Sequence, residues 1–170
     1  MEFLATIKAQ IPDYAKDIRL NLDGVIARSS LAPEDAIGVA LAAAFAAKSK
    51  PLVDAFKAAL PPLEANAALT AAALMGMNNV WYPYVEMAAD EDLKTQRAEL
   101  RMNAYASSGG VSKAKFEAYA LAASIVGKCH FCVASHYALL KKEGRTTQQL
   151  RDIGRIAAVV NAAAQVIAAN

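Results

Sequence analysis

The chain has 170 residues, a length that fits one domain with a sizeable apolar core. Hydrophobic residues make up 56% and 40 residues are alanine, which excludes a disordered chain, while a formal charge of +2 is too small and too evenly spread to indicate a nucleic-acid partner. The longest apolar run, 36–47, is shorter than the ~20 residues that cross a bilayer, and no secretory signal is visible, so we expect a cytoplasmic protein with no membrane partner.

Helical periodicity and proline positions predict a series of helices in the first half of the chain. Asp13 is expected to cap the first helix, and Pro33, which two acidic residues follow, suits the first turn of the second. Pro51 and the prolines at 61–62 are expected to end the helices before them, because proline restricts the preceding residue. Pro83 is expected to interrupt the chain again. The predicted helices cover 14–26, 33–50, 52–60 and 63–78.

The predicted helix boundaries are clearer in the second half of the chain. The run Ser-Ser-Gly-Gly at 107–110 is the strongest break, after which Ser112 can cap a helix that Gly127 ends. Gly144 is expected to stop the following helix, and one of the threonines at 146–147 to cap the last. No stretch alternates with period two, so the sequence predicts an all-α, single-domain, multi-helix fold. The predicted helices cover 93–104, 113–126, 130–142 and 147–167.

Two segments of the chain resemble each other. Residues 38–60 align with residues 118–140 without a gap, and eight of the 23 positions are identical. Alanine inflates this score, so coincidence and duplication of a helix-turn-helix unit both stay open. The alignment places Ser49, Leu52 and Phe56 opposite Cys129, Cys132 and His136. If the repeat is real, the first unit serves in packing only.

The only two cysteines, Cys129 and Cys132, are separated by two residues. A disulfide between them closes too short a loop to constrain the chain, but this spacing suits a disulfide that forms and breaks, which is redox chemistry. His136 follows four residues later. On a helix these three side chains lie within roughly 60° of one another, so the pattern predicts a thiol centre with its own proton carrier.

A carboxylate is expected beside this centre. If Gly127 and Lys128 turn the chain between two antiparallel helices, Glu117 lies level with His136 to within roughly one turn. Glu117 stands in an apolar stretch, and a buried carboxylate needs a partner. Imidazole can take a thiol proton and return it to a leaving oxygen, so the candidate relay runs from Glu117 through His136 to a thiol.

These residues also allow other interpretations. A structural zinc site needs four convergent ligands, but His130 points away from the cysteine stripe, and a c-type haem needs histidine where Val133 stands. Two inert buried thiols, or a solvated Glu117, stay open as alternatives. His130 is expected to be an exposed neighbour of the centre. The aromatic cluster at 81–84 is expected in the core or at a subunit interface.

The pattern Glu117, eleven residues, Cys129-x-x-Cys132 and then His136 resembles the signature of the AhpD alkylhydroperoxidases, within the carboxymuconolactone decarboxylase-like superfamily. The likeness extends over essentially the whole chain, including the segments 12–17, 20–22, 77–80 and 100–103. Two positions depart from the pattern. Members of the family often carry histidine where this chain has Phe131, and a basic residue where it has Pro83.

The resemblance implies an all-helical homotrimer with lipoyl-dependent peroxidase activity. It implies that Cys132 attacks the peroxide and becomes a sulfenic acid, that Cys129 donates a proton and then forms the disulfide, and that Glu117 and His136 relay protons. It also implies a dihydrolipoyl reductant on an acyltransferase of a 2-oxoacid dehydrogenase complex, backed by dihydrolipoamide dehydrogenase and NADH. The peroxiredoxin AhpC is the implied electron acceptor, and no resident cofactor or metal is expected.

The residues and the resemblance favour different thiols. Cys129 is expected at a helix start, where unpaired N–H groups lower a thiol's pKa, whereas the family pattern makes Cys132 the attacking residue. Better access for peroxide and deprotonation through the relay would reconcile the two, and we follow the family pattern. Two other functions stay open: a decarboxylase or lactone-processing enzyme of the same superfamily, and a non-enzymatic disulfide shuttle.

Overall fold

The computed structural model describes all 170 residues, from Met1 to Asn170. Its regular structure consists of ten α-helices and three short 3-10 turns without a β-strand, so the predicted all-α fold is confirmed. None of the helices is long and apolar enough to span a membrane. The helices are α1 (Ala5–Ala9), α2 (Lys16–Ala27), α3 (Pro33–Ala46), α4 (Lys50–Ala58), α5 (Pro62–Ala88), α6 (Glu91–Thr95), α7 (Asn103–Ala106), α8 (Lys113–Gly127), α9 (His130–Lys142) and α10 (Thr147–Ala168).

Helices α3 and α8 form the centre of the core. They pack against each other, and both contact α5 and α10. Every residue from 35 to 44 in α3 and from 116 to 124 in α8 is buried, as expected for helices enclosed on all sides. Small side chains permit this close approach. A Cβ atom at Gly38 would lie 2.5 Å from the ring of Tyr119.

Three boundaries in the first half differ from the sequence prediction. Asp13 does not cap α2, since its carboxylate accepts a hydrogen bond from Arg19 at 2.8 Å and a 3-10 turn precedes the helix. Helix α3 starts at Pro33 as predicted but ends at Ala46, because Lys48 adopts a left-handed conformation with φ +59°. Pro51 lies in the first turn of α4, where proline's missing N–H needs no partner.

Pro83 does not interrupt the chain, so this prediction was wrong. Helix α5 runs through it for 27 residues. Proline removes one helical hydrogen bond, but side chains on both sides of it hold the helix to its neighbours. Asn79 donates to the carbonyl of Ala123 at 3.1 Å, Tyr82 stacks on Phe131, and Glu86 pairs with His130.

The predicted helix over 93–104 was also wrong. The structure has two short helices, α6 and α7, and residues 96–102 between them are not helical. Neither helix contains a buried residue. Because most helical stability in proteins comes from packing of an apolar face, this segment has little to sustain a longer helix.

Boundaries in the last third follow the prediction closely. Ser112 accepts a hydrogen bond from the backbone N–H of Lys115 and caps α8. Thr146 forms a capping box with Gln149 at the start of α10. Helix α8 does end at Gly127, but the left-handed residue that terminates it is Lys128, with φ +55°.

The two segments that resemble each other in sequence have matching turns. Lys48 and Lys128 are both left-handed, and the residues after them, Ser49 and Cys129, both stand at the N-cap of the next helix. The backbone N–H of each N-cap residue donates to the carbonyl five residues earlier, at 3.1 and 3.3 Å. Each segment is therefore a helix-turn-helix unit, and an origin by duplication stays a prediction.

Candidate active site

The cysteine pair lies where α8 turns into α9. Cys129 is the N-cap residue of α9, and its Sγ accepts a hydrogen bond from the backbone N–H of Cys132 at 3.2 Å. The two residues are joined by a disulfide, with Cα atoms 5.3 Å apart. Cys129 is fully buried, whereas Cys132 is 3% exposed and borders a cavity. The two cysteines therefore differ in their surroundings, and only Cys132 lines this cavity.

This cavity lies between α5, α7 and α9 and has a volume of about 240 Å³. A water molecule occupies about 30 Å³ in the liquid, so the cavity can hold several waters or the reactive end of a small molecule. Its lining combines the sulfur of Cys132, the imidazole of His136 and hydroxyl groups with apolar walls. The lining residues are Asn78, Tyr82, Met102, Tyr105, Phe131, Cys132, Ser135 and His136.

Glu117 and His136 are brought together across the two antiparallel helices. The Oε2 atom of Glu117 lies 2.6 Å from Nδ1 of His136, and both side chains are buried. Since a carboxylate can only accept, Nδ1 carries the hydrogen and donates it. The pairing follows the register expected from the turn at 127–128.

The second oxygen of Glu117 is also occupied, by a residue that the sequence analysis did not identify. The hydroxyl of Tyr105 donates to Oε1. Burial by itself would raise the pKa of Glu117, but the hydrogen bonds from His136 and Tyr105 outweigh it and hold this pKa below its usual value. Burial and the neighbouring carboxylate raise the pKa of Tyr105, so the tyrosine stays protonated and the glutamate stays ionised.

The other ring nitrogen of His136 faces a thioether. Its Nε2 atom lies 3.1 Å from Sδ of Met75, a fully buried residue that can accept a hydrogen bond but not donate one. His136 forms no hydrogen bond with Cys129 or Cys132 in this disulfide-bonded state. Hydrogen bonds thus connect Tyr105, Glu117 and His136, and none joins this group to a cysteine sulfur.

The remaining candidates lie outside this centre. The side chain of His130 is 82% exposed and lies 3.3 Å from Glu86 at Nδ1, so it is an exposed neighbour as expected. The chain contains no group of three or more His, Cys, Asp or Glu side chains that could hold a metal ion. The aromatic cluster at 81–84 is not in the core, because Tyr84 is exposed and Trp81 and Tyr82 are half-buried.

Two site residues, Tyr105 and Met75, were missed for different reasons. Tyr105 lies 12 residues before Glu117, across the Ser-Ser-Gly-Gly break, and no periodicity connects the two positions. Met75 lies in an alanine-rich helix, where its pattern is that of an ordinary core residue. Neither position carries a local signal, because each contact joins different elements of the fold.

An all-helical chain with a buried Cys-x-x-Cys pair beside a histidine–glutamate pair defines a class of helical thiol–disulfide proteins, and similarity to known proteins narrows that class. Residues 91–170 match the sequence model of the carboxymuconolactone decarboxylase family. A relative from Rhodospirillum centenum, named alkyl hydroperoxide reductase AhpD, is 43% identical over 168 residues, which cover 96% of this chain and 90% of the relative.

Relatives from Maricaulis maris and a Bradyrhizobium species carry the same name. They are 42% and 40% identical, with 96% of this chain covered in both cases and 96% and 92% of the relatives. The chain belongs to the alkyl hydroperoxide reductase AhpD family. The resemblance drawn from the sequence is therefore confirmed.

Proposed function

We propose that this protein is a thiol peroxidase that reduces alkyl hydroperoxides through a dithiol–disulfide cycle of Cys129 and Cys132. The observation that carries the proposal is the position of Cys132 at a cavity that it shares with His136, whose Nδ1 atom is hydrogen-bonded to Glu117. The shared name of the relatives, alkyl hydroperoxide reductase, supports the same chemistry.

In the first step, His136 takes the thiol proton of Cys132, directly or through a water in the cavity. The Cys132 thiolate then attacks the terminal oxygen of the hydroperoxide, so that an S–O bond forms and the O–O bond breaks. The sulfur is oxidised to a sulfenic acid, and the peroxide is reduced to an alkoxide. The Cys129 thiol gives its proton to this alkoxide, which leaves as the alcohol.

In the second step, the Cys129 thiolate attacks the sulfenic sulfur of Cys132. The S–S bond forms, the S–O bond breaks, and hydroxide leaves as water with the proton held by His136. The N-cap position favours this thiolate, because the Cys132 N–H already points at the Cys129 sulfur. Ionised Glu117 supports the imidazolium that holds the proton between the two steps.

Reduction of the disulfide completes the cycle. The proposed reductant is a dihydrolipoyl group on the acyltransferase of a 2-oxoacid dehydrogenase complex, recharged by dihydrolipoamide dehydrogenase with NADH. One of its thiolates attacks the disulfide and its second thiol releases the mixed disulfide, which restores both cysteine thiols. We also propose AhpC as the peroxiredoxin partner, a homotrimeric assembly and a cytoplasmic location. Dihydrolipoamide is a consumed reductant, so no resident cofactor is required.

Single substitutions of the two cysteines test this cycle. We expect Cys132→Ser to abolish turnover of tert-butyl hydroperoxide with dihydrolipoamide, and Cys129→Ser to leave a sulfenic acid on Cys132 that dimedone traps. Mass spectrometry of the unmodified chain should show loss of two hydrogens after peroxide and their return after dihydrolipoamide. The assay omits AhpC, so that a disulfide shuttle without peroxidase activity gives no turnover. Full turnover by Cys132→Ser would refute the proposal.

A further inference from the structure

A second cavity lies directly beside the one that contains Cys132. It is an open groove of about 690 Å³ between α5, the α6 segment and α9. Ligand pockets commonly have ~300–1,000 Å³, a range that includes this groove and excludes the 240 Å³ cavity beside it. Its apolar lining consists of Trp81, Tyr82, Val85, Leu93, Phe131 and Ala134.

Two aromatic residues belong to both cavities. Tyr82 and Phe131 line the groove on one side and the Cys132 cavity on the other. Their rings are stacked, with centroids 4.2 Å apart and planes inclined by 26°. Phe131 directly precedes Cys132 and is 56% exposed. The aromatic pair therefore stands at the boundary between the two cavities, and a molecule that occupies both has to pass it.

The charged groups at the rim of the groove are already paired. His130 lies 3.3 Å from Glu86, and the ammonium group of Lys94 lies 2.5 Å from Glu91. Each basic group has its own carboxylate, so the rim offers no uncompensated charge to an anionic ligand. The groove is matched in polarity to a neutral hydrocarbon chain.

We propose that this groove binds the hydrocarbon part of the hydroperoxide while its peroxide group reaches Cys132 past the Tyr82–Phe131 pair. This inference rests on the proposed peroxidase function and names its substrate class, apolar hydroperoxides with a long hydrocarbon chain. Each methylene that is fully buried in the groove contributes up to about a four-fold gain in kcat/KM. The groove does not raise kcat/KM for hydrogen peroxide or for short-chain hydroperoxides, because they have no long hydrocarbon chain to bury in it.

A substitution that narrows the groove but leaves the lining of the Cys132 cavity unchanged gives a kinetic test. Ala134 is exposed on α9 and lines only the groove. We expect Ala134→Phe to lower kcat/KM for decyl hydroperoxide by about ten-fold, because the ring displaces roughly two buried methylenes. The kcat/KM for tert-butyl hydroperoxide should stay within about two-fold of the value for the unmodified protein. Ala138→Phe, an exposed position one turn later that lines neither cavity, is the control and should change neither value. An undiminished preference for decyl hydroperoxide in Ala134→Phe would overturn the inference.

A binding test that needs no peroxide chemistry separates the two proposals. Trp81 is the only tryptophan of the chain and lies in the groove. We expect 1-decanol to change its fluorescence saturably in the unmodified protein and in Ala138→Phe, and to need an about ten-fold higher concentration for half-saturation in Ala134→Phe. No saturable change, as when a second copy of the chain covers the groove, would overturn the inference even if tert-butyl hydroperoxide is turned over. Binding of 1-decanol without turnover of any hydroperoxide would refute the peroxidase, and with it the assignment to a substrate.

Discussion

Glu117 receives hydrogen bonds on both carboxylate oxygens inside the core, from His136 at one and Tyr105 at the other. Its pKa is lowered in the folded chain despite burial. A carboxyl group of this kind adds stability above its unfolded pKa, and that stability is lost as the pH falls through the folded value. The buried charge is thus kept at neutral pH, where it accepts the hydrogen bond that orients the imidazole of His136.

Tyr105 is a positioning residue in this arrangement, and Tyr105→Phe tests it. The phenylalanine keeps the edge-on packing against Phe116, whose ring centroid lies 5.7 Å away, but removes the hydroxyl. With one donor lost, the pKa of Glu117 rises. We therefore expect the acid limb of the pH profile of kcat/KM to move to higher pH, so that kcat/KM falls by a larger factor at pH 5 than at pH 7.

The control for this substitution is Tyr137→Phe. Tyr137 is an exposed tyrosine on the same helix as His136, next to it in sequence, and it does not line the cavity. Its pH profile should match that of the unmodified protein. A purely structural role of Tyr105 would lower activity or stability without moving the acid limb, and that outcome would contradict the prediction.

At the scale of elements, two residues shape the turn between α8 and α9, Gly127 and Lys128. Gly127 allows close approach, because a Cβ atom there would lie 2.2 Å from Nδ2 of Asn79. That amide donates to the carbonyl of Ala123 at 3.1 Å and joins α5 to α8. Lys128 supplies the left-handed conformation, which is unfavourable for a residue with a side chain. The geometry that presents Cys129 at the start of α9 therefore carries local strain.

Lys128→Gly should relieve that strain. We expect it to raise the free energy of unfolding by about 1 kcal/mol, since glycine adopts the left-handed conformation without the clash of a Cβ atom. Lys128→Ala removes the same charge but keeps the Cβ atom, so it should give no such gain. Urea denaturation of both variants, with the disulfide intact in each, measures the difference. Equal stability of the two variants would show that the conformation is not strained.

At the scale of the whole molecule, Asp152 joins distant parts of the chain. This buried residue of α10 accepts hydrogen bonds from the backbone N–H and hydroxyl of Ser30, at 2.9 and 2.8 Å, across 122 positions of sequence. Arg151 and Arg155 also donate to it. Burial would raise the pKa of Asp152, but these hydrogen bonds outweigh it and hold the pKa well below its usual range.

Asp152→Asn should therefore destabilise the fold in a pH-dependent way. We expect a loss of about 2 kcal/mol in the free energy of unfolding at pH 7, because hydrogen bonds to a buried charge are lost. The folded pKa is depressed, so the difference from the unmodified chain is constant above about pH 5 and shrinks as the pH falls below about 4.

The matched control is Asp54→Asn, which breaks an exposed pair with Lys50 on one helix and should change stability little. Chemical denaturation between pH 3 and pH 8 compares the three proteins. A difference between Asp152→Asn and the unmodified chain that stays constant down to pH 3 would contradict the prediction.

Features set by neighbouring residues were predictable from the sequence. The cap at Ser112, the capping box at Thr146 and the spacing of Cys129 and Cys132 depend on residues within one helix or one turn. The level of Glu117 relative to His136 depends on two consecutive helices and the short turn that joins them. The roles of the four site residues in catalysis stay a prediction. The predicted helix over 93–104 was wrong because that segment has a helical pattern but no buried face. The predicted interruption at Pro83 was wrong because contacts with neighbouring helices hold α5 together on both sides of it.

By itself, then, the sequence determined the helical class, most of the second-half boundaries and the thiol centre, because capping, periodicity and short spacings act over a few residues. The tertiary structure decided that Tyr105 completes the hydrogen bonding of Glu117, that Met75 faces His136, and that α5 continues past Pro83. It also decided that an apolar groove adjoins the cysteine cavity. These features arise from contacts between residues far apart in the chain. Such contacts form, and contribute to the free energy of folding, only when the helices pack.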